Sequence, residues 1–226
     1  MMTRRIGALE IGQSPRIDLA GPLQKLLPND IELIEVGALD GLTAVSLPDA
    51  SRAKYPLGTR LRDGTAVTVP ETFLLPLLQE KLDELEDQGV MATILLCAGS
   101  FVELRGKRPL FKPFDIALAT LRSLNMNNLA VLTPFKGQIA PIRKRWQAAG
   151  FQANVLAVSL DDLDDPEVEM ELMESLIEQC GNLPDFLLLD YVGHPAHVRE
   201  DLQELVNVPI LDLGYLAIQA IVAACR

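Results

Sequence analysis

The sequence predicts a mostly parallel, doubly wound α/β protein built as two halves. Two observations predict it. Short, nearly continuous apolar runs alternate with amphipathic helical stretches along the whole chain, and an aperiodic segment near the middle divides three strand candidates from four. Runs of this kind fit strands covered on both faces, and strand–helix alternation of this length implies parallel pairing.

The first half opens with strand candidates at 6–11 and 31–36. Residues 57–69 then read as two short strands around Asp63-Gly64, a hairpin signal and an excursion from the main sheet. A helix follows over 71–88, where Phe73, Leu74, Leu77, Leu78, Leu82 and Leu85 fall at helical spacing and Gly89 stops it. The third strand candidate is 91–97. The segment 101–113 has no clean period, four basic residues and two prolines, and reads as a crossover loop. Beyond it, strand candidates lie at 129–132, 153–158, 186–189 and 208–213, with a helix expected from the Asp165-Pro166 pair to Gly181. The last strand and helix are expected to return to the first half. The expected division is therefore 1–100 with 208–226 against 101–207.

A length of 226 residues is about one and a half nominal domains, enough for a substantial core. Thirty-one acids against 20 bases give a net charge of −11, which argues against nucleic acid or an anionic membrane as partner. Glu10 breaks the short apolar stretch after the N-terminus, so no secretory segment is expected. The longest apolar runs fall far short of the ~20 residues that span a bilayer. A cytoplasmic setting with reduced thiols is the default. Cys97, Cys180 and Cys225 are too scattered for a disulfide framework or a zinc site. The acidic run 161–171 is read as a helix start and a solvated face rather than a metal site.

Ligands of open α/β sheets bind outside the carboxyl ends of the strands. The residues there are Glu10, Gln13, Ser14 and Arg16; Cys97-Ala98-Gly99-Ser100; Thr133 to Lys136; Asp190 to His194; and Asp212. A phosphate-binding loop and a nucleophile elbow are absent, and Gly7, Gly12 and Gly21 are wrongly spaced for a dinucleotide fingerprint. His194 and His197, with Pro195 between them, make a poor zinc pair. What remains is a thiol at a strand end, followed by small residues whose amides can hold a carboxylate or an oxyanion. Asp190 is expected as a cap or structural acceptor. The basic side chains Arg105, Lys107, Arg108 and Lys112 are read as solvated, with a minority reading in which one of them covers the pocket.

The block Ile11-Gly-Gln-Ser-Pro-Arg-Ile-Asp18, the hairpin, Leu95-Leu-Cys-Ala-Gly-Ser-Phe101 and Leu189-Asp-Tyr-Val-Gly-His194 resemble the AroM family over essentially the full chain. That family in turn resembles the aspartate/glutamate (hydantoin) racemase superfamily. The resemblance implies two pseudo-symmetric, flavodoxin-like halves with a site between them, no metal and no organic cofactor. It implies an isomerase, racemase or lyase-like activity on a small carboxylate, amino acid-like or dicarboxylate, and makes a homodimer a plausible assembly. Cys97 then matches the first catalytic cysteine, while the position of the second is Tyr191. A phenol near pKa 10 is an acid partner rather than a base at neutral pH. Ser14, Arg16, Gly99, Ser100, Thr133, Gly193 and His194 make the expected substrate-binding set. With a single thiol the alternative is a catalytically degenerate carboxylate binder or sensor on the same scaffold.

Overall fold

The computed structural model describes residues 4–158, 170, 172, 174–176, 178, 184–194 and 196–226. The acidic run 161–171, the helix expected over 165–181 and Cys180 fall wholly or largely outside these residues.

The chain forms two compact units, 1–115 with 217–226, and 116–216. In the first, β1 (Arg4–Glu10), β2 (Ile31–Gly37), β5 (Ala92–Leu95) and β6 (Leu110–Phe111) form one parallel sheet in the order β2-β1-β5-β6. The hairpin β3 (Pro56–Arg60) and β4 (Ala66–Pro70) pairs by itself, antiparallel, as its sequence predicts. Its turn places Gly64 at φ +87°, where a side chain would be strained. Helices α1 (Ile17–Leu26) and α2 (Glu71–Asp87) complete the unit with the first residues of α3 (Pro113–Leu124). On α2, Leu74, Leu78, Leu82 and Leu85 recur at three- and four-residue spacing and are fully buried with Leu9, Leu95 and Phe101.

In the second unit, β7 (Asn128–Thr133), β8 (Gln152–Ala157), β9 (Phe186–Leu189) and β10 (Ile210–Asp212) form a parallel sheet in the order β8-β7-β9-β10. Helices α4 (Ile139–Ala148) and α5 (Ala196–Leu205) belong to it, and α6 (Leu213–Cys225) begins in it. Ala130, Leu132, Leu187, Leu189, Val198 and Leu202 form its core with Leu172 and Leu176. Both sheets therefore run second, first, third, fourth strand, the flavodoxin-like order. Each has its switch point between the first and third strands: β1 and β5 in one unit, β7 and β9 in the other.

The units divide elsewhere than at 100/101 and 207/208. Residues 101–115 stay with the first because Phe101 and Leu104 lie in its core and β6, a two-residue strand inside the expected loop, pairs with β5. Strand β10 pairs with β9 and stays in the second, so only residues 217–226 return. A bond of 3.0 Å from the Arg4 guanidinium to the Cys225 carbonyl ties that end to the start of β1.

Candidate functional site

In the first unit the switch point carries the loop after β1 and the turn after β5. Asp40, beyond the end of β2, organises the loop. Its carboxylate accepts the Ser14 hydroxyl at 2.7 Å, the Ser14 N–H at 2.9 Å and the Gly37 N–H at 2.8 Å. Gln13 donates to the carbonyls of Leu39 and Leu42 and accepts the Arg62 N–H. Arg62, at the start of the hairpin turn, donates through Nε to the Ser14 carbonyl at 2.8 Å. Hairpin and loop are thus pinned together, and the proton of the Ser14 hydroxyl is committed to Asp40.

Arg16 is 9% exposed; its guanidinium pairs with Asp18, whose carboxyl it holds below the usual carboxylate range. The Arg16 N–H donates to Glu35 at 3.2 Å. Behind this loop Glu10, the last residue of β1, is wholly buried; no donor among the described residues reaches its oxygens, and it shares a carboxyl–carboxyl contact with Glu35 that favours its protonated form. Burial first, and then the Glu35 charge, push its pKa up to about 9, so its carboxyl is neutral at pH 7.

Cys97 lies two residues past β5, buried and not in a disulfide, and its sulfur accepts the Gly99 N–H at 3.4 Å. Ser100 beside it is half-buried.

In the second unit Thr133 ends β7, buried, and its hydroxyl oxygen accepts the Phe135 N–H at 3.4 Å. Asp190 follows β9 and is a structural acceptor. It takes two 2.6 Å bonds from Arg145 and one of 2.7 Å from the Trp146 indole. Tyr191 is half-buried, its ring edge-on to Phe135 at 5.8 Å and to His194 at 5.2 Å. Gly193 is half-buried in the same segment. The Val192 backbone crosses the start of α6 so closely that a Cβ on Gly214 would stand 2.6 Å from its carbonyl oxygen. Asp212 caps that helix by accepting the Tyr215 N–H at 2.9 Å, and burial raises its pKa to about 6 against that bond. Among the described residues no three His, Cys, Asp or Glu side chains gather as a metal ion would require. No helix among them is long and apolar enough to cross a membrane.

The structure thus sets Ser14, Arg16, Cys97, Gly99 and Ser100 on one unit's strand ends, and Thr133, Tyr191, Gly193 and His194 on the other's. Sequence reasoning missed Asp40, Glu35 and Arg62. Asp40 lay within its reach, because the strand-end rule applies to β2 as it does to β1.

The family model described as AroM protein matches residues 6–224. The chain belongs to the AroM family. No curated protein sequence matches this AroM-family chain. Among solved structures it is similar to allantoin racemase from Klebsiella pneumoniae, with TM-score 0.62 and 14% identity, covering 98% of this chain and 86% of that one. It is similar to arylmalonate decarboxylase, with TM-score 0.61 and 14% identity over 97% and 91% of the two chains. It is also similar to the maleate isomerase Iso from Pseudomonas putida S16, with TM-score 0.57 and 14% identity over 98% and 92%. The AroM-family chain therefore shares its fold with these three proteins.

Proposed function

We propose that this protein is a cofactor-independent isomerase, racemase or lyase-like enzyme acting on a small carboxylate, amino acid-like or dicarboxylate. Cys97 is its thiolate base or nucleophile. The observation that carries this reading is the place of Cys97 at the carboxyl end of β5, beside the switch point, with the Gly99 N–H on its sulfur. The shared fold supports it, since the similar structures include a racemase, a decarboxylase and an isomerase. Thr133 keeps its hydroxyl proton for a carboxylate oxygen, because its lone pair receives the Phe135 N–H. Ser14 contributes as an acceptor, its proton being held by Asp40. Arg16, Gly99, Ser100, Gly193 and His194 complete the proposed binding set. Tyr191 serves as proton donor, which makes the chemistry asymmetric: one thiolate and one phenol. A reduced, cytoplasmic setting suits such a thiol.

The test is incubation of wild type and Cys97→Ala with amino acids, hydantoins and dicarboxylates in deuterated water. Wild type is expected to place deuterium on the carbon next to the carboxylate, and loss of the base to cost about 10²–10⁴-fold. No incorporation and no turnover by wild type across the panel would overturn the reading.

One observation favours a second reading, a carboxylate-binding or sensor protein without turnover. Tyr191 stands where a second thiol is expected, with its ring packed edge-on to Phe135 and His194. Raised melting temperatures with members of the panel, without deuterium incorporation, would favour it.

A further inference from the structure

We propose that Phe101 and Lys112 are positioning residues for Cys97, closing the turn that delivers the Gly99 N–H to the thiol sulfur. The inference rests on the reading of Cys97 as a working thiolate.

Phe101 ends the turn that begins at Cys97, with φ at +34°. Among the described residues it shares a positive φ outside glycine only with Asn125, a residue type that tolerates it. A bulky side chain is strained there, and such strain persists where the surroundings over-determine it. Two contacts do so. The ring is 1% exposed, in the cluster that holds Leu9, Leu95, Leu104 and Cys97. It also folds back under Gly99, where an added Cβ would stand 2.4 Å from a ring carbon. Ring and turn are therefore in contact, and the orientation of the Gly99 amide depends on where the ring sits.

Lys112 supplies the second tie. It follows β6, which pairs beside β5, so the sheet carries it to the same carboxyl edge. Its side chain is only 12% exposed. The ammonium pairs with Asp115 at 2.6 Å and donates to the Phe101 carbonyl at 3.5 Å. A lysine in the segment that reads as a solvated basic loop is thus held against the carbonyl of the strained residue. Ring and ammonium together fix the far end of the turn whose near end is the thiol.

A merely structural role would lower melting temperature and leave the thiol's acidity alone. The experiment alkylates the native full chain with iodoacetamide across pH and quantifies the Cys97 peptide by mass spectrometry, with the Cys225 peptide as internal control. Phe101→Leu and Lys112→Met are expected to raise the pH midpoint at Cys97 by about one unit, slowing alkylation at pH 7 about tenfold. Lys112→Arg is expected to stay within about threefold of wild type, and Cys225 to be unchanged throughout. Phe101→Leu changes no charge, so it separates positioning from the field of the ammonium. Circular dichroism checks folding. If Phe101→Leu does not fold, Gly99→Ala, whose Cβ meets the ring, gives the same reading.

A folded Phe101→Leu or Gly99→Ala protein with the wild-type midpoint would overturn the proposal, as would a Lys112→Arg protein no better than Lys112→Met. Absence of turnover would sink the proposed activity and leave these midpoints readable, since alkylation needs no substrate.

Discussion

At the scale of single residues the sharpest anomaly is Glu10, a wholly buried carboxyl that receives no donor from the described residues and faces the Glu35 carboxyl. The groups that face it are Glu35 from β2 and Arg16 and Asp18 from the β1–α1 loop and the first turn of α1. Its pKa stands at about 9 against 4.5 for an ordinary glutamate. The folded state therefore keeps a proton that the unfolded chain releases. The associated stability is fully present below about pH 4.5 and is lost progressively as pH rises towards 9, with a slope of at most about 1.4 kcal/mol per pH unit. Glu10→Gln keeps the shape and removes the proton, so its stability curve between pH 5 and 9 should be flatter than wild type. The variant should gain most, relative to wild type, at the alkaline end. Urea unfolding at a series of pH values checks this, and parallel curves for the two proteins would contradict it.

At the scale of elements, each switch point is held by side chains that bind other elements. Asp190 joins the end of β9 to α4 through Arg145 and Trp146, with its side chain 1% and that of Arg145 17% exposed. Removing the carboxylate takes two 2.6 Å bonds from the Arg145 guanidinium and one of 2.7 Å from the Trp146 indole, and breaks a buried ion pair. Asp190→Ala should therefore cost about 3–5 kcal/mol by chemical denaturation. A cost under about 1 kcal/mol would mean that the segment carrying Tyr191 is anchored by something else. Asp40 does the corresponding work in the first unit, gathering Ser14 and Gly37.

These ties mark where sequence reading stops. The helix over 71–88, the hairpin and the strand runs are legible because periodicity and turn chemistry are local. Ser14, Cys97, Thr133 and Tyr191 are legible as strand-end positions. Asp40 is legible as a strand-end position too, but the pairings are not, because Asp40 lies 26 residues from Ser14 and Arg145 lies 45 from Asp190. Strand β6 is too short to carry a pattern, which is why its segment reads as a loop. Strand β10 pairs with β9, while the Arg4 guanidinium holds the Cys225 carbonyl beside β1; neither contact leaves a local pattern in the sequence.

At the scale of the molecule, the two sheets share one strand order, and the AroM-family chain spreads its strand-end polar residues over both units. The net charge of −11 sets the whole surface against polyanions, while the thiol turn keeps its Gly99 N–H on the Cys97 sulfur. The account stands or falls on that thiol. The measurement that tests it most directly is the pH dependence of Cys97 alkylation in the wild-type chain, with and without an excess of small dicarboxylate. The account predicts a midpoint well below the ~8.5 of a free cysteine, and protection when the carboxylate is present. A midpoint at or above that of free cysteine, with no protection by any carboxylate of the panel, would contradict it.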